Sequence, residues 1–143
     1  MSNERIYDPT RLSRYPHMFP LDIAIWERFI DRHGTDFSGF SYDVKVGSGT
    51  EPVEGLGSVY ERMQAILSKY RIDCVGYRDG RIYVIEVKPE AGTIAVGEVE
   101  LYTKLYTRDF NPTEPVVGCI VTDRLLPDME WFCKEKGFEI YIV

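Results

Sequence analysis

Apolar residues recur along the chain in two rhythms, the period of a helix and the period of a strand. Helical spacing predicts helices at 21–33, 58–70, 94–110 and 128–136. Alternation or short continuous apolar runs predict strands at 40–46, 71–78, 81–88, 116–122 and 138–143. This order predicts an α/β fold with a mixed central sheet flanked by helices.

The first twenty residues follow neither rhythm. Residues 1–20 hold three prolines, several aromatic side chains and three arginines, and we expect an extended N-terminal arm before a single domain at 21–143. The arm either packs on the domain as a strap, frays as a terminus, or docks on a protein partner, a second copy of the chain or phosphates.

A hairpin is the sharpest local prediction. Asp79-Gly80 separates two alternating runs and favours a two-residue type I′ turn. Arg78 then faces Arg81, and the same register places Asp73 directly opposite Glu86. Cross-strand partners share a face of the sheet, and like charges there are destabilising.

The paired carboxylates therefore predict a cation site, because Mg²⁺ or Mn²⁺ takes oxygen ligands from one or two carboxylates, waters and phosphate. Period two places Lys88 on the face of Glu86. The alternative for this Glu-x-Lys sequence is an ordinary surface ion pair. Against that alternative, apolar residues share the face, so the charges are partly desolvated. They are Val75, Tyr77, Ile82 and Val84.

The stretch IDCVGYRDGRIYVIEVK, residues 72–88, resembles the core of the PD-(D/E)xK nuclease superfamily. In that superfamily an Asp ends one hairpin strand, Glu-x-Lys lies on the next, and a helix and a strand follow, in a restriction-endonuclease-like fold. The resemblance implies an Mg²⁺- or Mn²⁺-dependent nuclease that hydrolyses DNA. Asp73, Glu86 and the backbone carbonyl of Val87 would bind the metal, and Lys88 would be catalytic.

Glu98-Val-Glu-Leu-Tyr102 resembles the Gln-x-x-x-Tyr motif of RecB-like members, with Glu in place of Gln. Both side chains lie on one helix face, and the resemblance implies that they help to position the substrate. A second interpretation is that Glu98, as a carboxylate in place of the amide, adds a further acidic group to the site. The remaining alternative is a solvated Glu98 and a core Tyr102. Many members add an acidic residue from an earlier helix, for which Glu27 is the first candidate and Glu61, a plausible capping-box residue, the second.

Composition and charge agree with the predicted fold and exclude several other classes of protein. A net charge of −6 and a pI of about 5.0 argue against a protein that coats nucleic acid. Three cysteines without metal-ligand spacing argue against disulfides and zinc, and we expect Cys74 and Cys119 in the core. Without an apolar run of membrane length or a signal-peptide pattern at the start, we expect a soluble, cytoplasmic protein with no membrane partner.

Two other classes of function stay open. One is a structural or adaptor protein, for example of a viral (phage-like) particle, that reuses the nuclease fold without cleavage. The other is a DNA-binding module with a vestigial site. Its basic footprint near the site would be thin, consisting of Arg71, Arg78, Arg81, Lys104 and Arg108.

Overall fold

The computed structural model describes residues 5–49, 57, 59 and 68–143. Its helices are α1 (Pro20–His33), α2 (Thr93–Phe110) and α3 (Pro127–Glu135), with a 3-10 turn at Gly34–Asp36. Its strands are β1 (Gly39–Val46), β2 (Tyr70–Arg78), β3 (Arg81–Ala91), β4 (Val116–Leu125) and β5 (Glu139–Ile142). The helix predicted at 58–70 falls almost entirely outside the described residues, and so does Glu61.

The described strands form one sheet in the order β1-β2-β3-β4-β5. The pairs β1–β2 and β2–β3 are antiparallel, and the pairs β3–β4 and β4–β5 are parallel. Helix α2 connects β3 to β4, and α3 connects β4 to β5. The mixed sheet with flanking helices is therefore confirmed, and so is the order of hairpin, helix and strand that the resemblance implied.

Each face of the sheet packs against a helix. Trp26 and Phe29 of α1 are fully buried against the face that carries Tyr83, Ile85 and Val87 of β3. The other face carries Ile82 and Val84 and packs against α2. Successive residues of β3 therefore point to opposite faces of the sheet. The odd-numbered side chains named above pack against α1, and the even-numbered ones pack against α2.

Strand β1 does not keep one face throughout. Its alternation predicts Phe40, Tyr42, Val44 and Val46 on a single side, yet the first two pack with α1 and the last two with α2. Between them Asp43 adopts a positive φ of 55°, a conformation that Asp tolerates better than most residues. This single left-handed residue switches the face, so the prediction of one continuous apolar face was wrong.

Strand β3 also runs farther than expected. The strand predicted at 81–88 continues through Pro89 to Ala91. The pairing with β4 passes over Pro89, joining Lys88 to Thr122 and Glu90 to Arg124, while the pairing with β2 ends at Ile85. A proline is tolerated there because its missing N–H interrupts neither ladder.

Residues 5–19, the N-terminal strap, pack on the domain. Tyr7 exchanges two backbone hydrogen bonds with Phe40. Tyr15 and Met18 are buried in the core cluster beneath α1. Arg11 forms ion pairs with Glu27 and Asp31 of α1. The strap therefore covers one side of α1 and the start of β1.

Two further sequence expectations concern the core and the membrane. Cys74, Cys119 and Cys133 are buried free thiols, so the two that were expected in the core lie there. No helix among the described residues is long and apolar enough to cross a membrane.

Candidate active site at the open end of the hairpin

The β2–β3 hairpin has the predicted turn and register. Asp79 and Gly80 have positive φ values of 50° and 71°, as a type I′ turn requires. Arg78 pairs with Arg81, and the ladder continues to Cys74 and Ile85. Asp73 and Glu86 are the next residues in this register, so the hairpin brings two carboxylates together at its open end.

Beyond the last backbone pair of the β2–β3 ladder, Asp73 contacts β3 through its side chain. Its Oδ2 accepts a hydrogen bond from the backbone N–H of Val87 at 2.9 Å. Asp73 itself is only 5% exposed. The carboxylate is thus tied to the strand that carries Glu86 and Lys88.

Glu86 is the most unusual charged group of the site. Its side chain is 1% exposed, and its Oε1 has no hydrogen-bond partner among the described residues. Burial, and after it the nearby Asp73 carboxylate, raise the pKa of Glu86 well above its ordinary value. A buried, unpartnered carboxyl oxygen is costly, so this position favours a ligand role over a structural one.

Lys88 points from the same face of β3 toward α2. Its Nζ lies 3.6 Å from Oε2 of Glu98. Burial alone would lower the pKa of Lys88, but nearby carboxylates raise it above its usual value. In order of influence they are Glu98, Asp73, Glu86 and Asp22. The ammonium therefore stays charged at neutral pH beside the acidic pair.

Tyr102 follows Glu98 by one helical turn and faces the same site. Burial raises the pKa of its phenol, and so do Glu98, Glu86 and Asp73. Its ring also lies beside that of Tyr70, with centroids 5.4 Å apart. The structure thus brings both residues of the Glu-x-x-x-Tyr sequence to the carboxylates of the hairpin.

The acidic residue that α1 brings to this site is Asp22. It is 8% exposed, and its carboxylate accepts a hydrogen bond from the N–H of Phe19 at 3.2 Å. Burial raises the pKa of Asp22, Asp73 raises it further, and Lys88 opposes the rise. Glu27, the sequence candidate, instead lies 3.1 Å from Arg11.

His17 of the N-terminal strap is a second residue that the sequence did not single out. Its Nε2 lies 3.4 Å from Oδ1 of Asp73. Asp22 and Asp43 also lie close enough for His17 to lower their pKa values. The signal in the sequence is a histidine between Pro16 and Met18, which only the fold brings to β2.

The donor set suits a hard cation that keeps some of its waters. Among the described residues, no group of three or more His, Cys, Asp or Glu side chains is spaced to hold a metal ion. Two carboxylates, one with a free buried oxygen, leave positions for waters and phosphate oxygens, as Mg²⁺ prefers. The residues present therefore fit Mg²⁺ or Mn²⁺ and do not resemble a structural zinc site.

Most of the basic residues near the site are already paired. Arg71 makes two hydrogen bonds of 2.6 Å to Asp43. Arg108 contacts Asp109 at 2.8 Å. Arg78 lies at the far end of the hairpin, among two tyrosines and Glu139. These ion pairs reduce the positive charge that the DNA-binding alternative would need near the site.

Comparisons with known proteins give two structural similarities. A repair endonuclease from Pyrococcus abyssi is 25% identical over 51% of this chain and 32% of that chain, with a TM-score of 0.46. The structure of an EndoMS–dsDNA2 complex is 19% identical over 91% of this chain and 48% of that chain, with a TM-score of 0.49. The similar regions thus make up 32% and 48% of the length of those two proteins. No protein-family model and no curated protein matches the sequence.

Proposed function

We propose that this protein is a divalent-metal-dependent nuclease that hydrolyses phosphodiester bonds of DNA. The observation that carries the proposal is Glu86, a buried carboxyl group beside Asp73 with one oxygen that has no partner in the described part of the chain. Two ionised carboxylates at this depth repel each other, and either a proton retained by Glu86 or a bound cation relieves that repulsion. DNA is the substrate that the resemblance of residues 72–88 implies.

Asp73, Glu86 and the backbone carbonyl of Val87 would hold the cation. The chemistry that Mg²⁺ or Mn²⁺ supplies at such a site is activation of the attacking water and neutralisation of charge on the phosphate. The Val87 N–H fixes one oxygen of Asp73, so this ligand is oriented before substrate arrives. Asp22, rather than Glu27, is the acidic residue that α1 would add.

Lys88 would act on the phosphate. Its ammonium is charged and has three N–H donors. Its Nζ lies 3.6 Å from Glu98, and donors that make no hydrogen bond to the described residues would contact a phosphate oxygen or the attacking water. A cation fixed where charge develops stabilises the transition state. Tyr102 would supply a neutral hydroxyl beside them, because its raised pKa keeps it protonated.

The test is a cleavage assay with the purified chain on linear, circular and branched DNA and on RNA, in Mg²⁺, Mn²⁺ or EDTA. Asp73→Asn removes a metal ligand with little change of shape. Asp79→Asn is the matched control, because Asp79 is an exposed residue in the turn of the same hairpin and Asn tolerates its backbone conformation. Circular dichroism checks that both variants fold.

We expect DNA cleavage by the wild type and Asp79→Asn in either metal, and none by Asp73→Asn or in EDTA. Three outcomes would contradict the proposal. They are cleavage in EDTA, cleavage by Asp73→Asn at the wild-type rate, and a wild-type chain that cuts no DNA in Mn²⁺. Cleavage of RNA alone would keep the metal mechanism and replace the substrate.

A further inference from the structure

The carboxylate of Asp73 is held from two sides. One oxygen, Oδ2, accepts the N–H of Val87 from β3. The other, Oδ1, faces Nε2 of His17 at 3.4 Å. The first contact belongs to the hairpin, whereas the second comes from a segment 56 residues earlier in the chain. The orientation of Asp73 therefore depends on the N-terminal strap as well as on the sheet.

The position of His17 is fixed by buried neighbours on both sides. Tyr15 is 5% exposed, its ring packs edge-on against Tyr42, and its hydroxyl accepts the N–H of Leu12 at 2.8 Å. Met18 is also buried in the same core cluster. Because these anchors flank His17, its contact with Asp73 is built into the packing of the strap.

His17 also lies near two further carboxylates. His17 faces Asp73. It also lies close enough to Asp22 and Asp43 to lower the pKa values of both carboxyl groups. Asp43 is already bound by Arg71, and Asp22 accepts the N–H of Phe19. Of these three carboxylates, Asp73 is the one that lies within ion-pair distance of the His17 imidazole, at 3.4 Å.

We propose that His17 is a positioning residue, which orients the Asp73 carboxylate for a divalent cation and makes the N-terminal strap part of the metal site. The inference rests on the proposed function. Carboxylates that bind metals are themselves held by hydrogen bonds, and loss of such a partner costs about 10–100-fold in metal affinity or activity. His17 acts through Asp73 and does not touch the reacting atoms.

The test measures Mn²⁺ affinity of the full chain by titration calorimetry, with cleavage kinetics and thermal unfolding alongside. His17→Phe and His17→Ala remove the donor, whereas His17→Gln keeps an N–H donor at a similar distance from the backbone. His33→Gln is the matched control, because His33 is the only other histidine of the chain and lies at the end of α1 beside Asp36.

We expect the donor-free variants to bind Mn²⁺ about 10–100-fold more weakly. His17→Gln and His33→Gln should stay within about threefold of the wild type, as expected when a donor is kept or a distant surface site is changed. The loss in the donor-free variants should appear in cleavage as a higher metal requirement. His17→Ala keeps the comparison available if the larger Phe side chain prevents folding.

Donor-free variants that bind Mn²⁺ like the wild type would overturn the inference. So would a His17→Gln variant as weak as His17→Phe, because a donor would then be irrelevant. Both results leave the proposed nuclease in place, provided that the wild type cleaves. A wild-type chain that neither binds Mn²⁺ nor cleaves overturns the proposed function and, with it, this inference.

Discussion

The two ends of the β2–β3 hairpin differ in how completely their charged side chains are partnered. At the turn end, Arg78 donates to the hydroxyls of Tyr83 and Tyr141 and to Glu139, and its guanidinium also lies over the rings of Phe37 and Tyr83. At the open end, Glu86 is buried beside a like charge with one oxygen unpartnered among the described residues.

This difference separates stability from function within one supersecondary unit. A partly buried cation with several acceptors, such as Arg78, contributes to the fold, because each partner offsets part of its desolvation. A buried anion without such partners weakens the fold and is retained for another reason. The turn end thus stabilises the fold, whereas the open end has the unpartnered carboxyl oxygen that the proposed cation site requires.

The largest expected effect is on catalysis at the open end. Lys88→Ala should lower kcat for DNA cleavage by about 10²–10³-fold, the usual cost of removing one group that stabilises developing charge. Lys134→Ala is the matched control, because Lys134 also pairs with a glutamate, Glu130, but lies on the surface of α3. Single-turnover kinetics in Mn²⁺ measure both. A Lys88→Ala variant that retains wild-type kcat would remove Lys88 from the mechanism.

The next effect is on stability at the turn end. Arg78→Ala should lower the free energy of unfolding by about 3 kcal/mol, because it leaves partly buried acceptors without their cation. For a domain of this size that loss corresponds to a fall in Tm of about 10 °C. Denaturant titration gives the free energy directly.

Arg81 supplies the control for Arg78. It is the cross-strand partner of Arg78 and is exposed, so Arg81→Ala should change stability by less than about 0.5 kcal/mol. Equal losses for the two variants would show that hairpin charge in general, rather than the Arg78 network, carries the stability of this end.

A smaller effect is expected at the open end, where a substitution should raise the free energy of unfolding instead of lowering it. In EDTA, Glu86→Gln should raise the free energy of unfolding by about 1 kcal/mol, because the amide can donate to Asp73 where a carboxylate repels it. The same variant should lose cleavage. A Glu86→Gln variant less stable than the wild type in EDTA would contradict this account of the open end.

The gain from Glu86→Gln should also depend on pH. The pKa of Glu86 is raised in the folded state, so the folded wild type holds this proton more tightly than the unfolded chain. Stability from this group is present below the ordinary carboxyl pKa and is lost as pH rises toward the raised value. The variant's advantage should therefore grow with pH, as measured by Tm in EDTA.

The sequence predicted the hairpin end of this site well because local signals fix it. Asp79-Gly80 sets the turn, the turn sets the register, and the register determines that Asp73 faces Glu86. Each step depends on neighbours in the chain, so no tertiary information is needed.

The residues that the sequence missed come from segments that only tertiary packing brings to the hairpin. Asp22 and Glu27 are five positions apart, which places them about 140° apart around α1, and periodicity alone cannot tell which side meets the hairpin. His17 lies in a segment without any period. The change of face at Asp43 also could not be predicted from the alternation, because a single left-handed residue interrupts an otherwise regular pattern.

The smallest expected effect concerns the departure from the RecB-like motif. Glu98→Gln gives this chain the Gln of that motif and removes one partner of the Lys88 pair. Because the pair is partly exposed, it contributes about 0.2–1 kcal/mol, which corresponds to a fall of about 1.4- to fivefold in kcat/KM. Glu100→Gln, which instead breaks a pair with Lys136, should leave cleavage unchanged. A loss as large as that of Lys88→Ala would mean that Glu98 is itself a ligand or a proton carrier, and the motif's Gln could not replace it here.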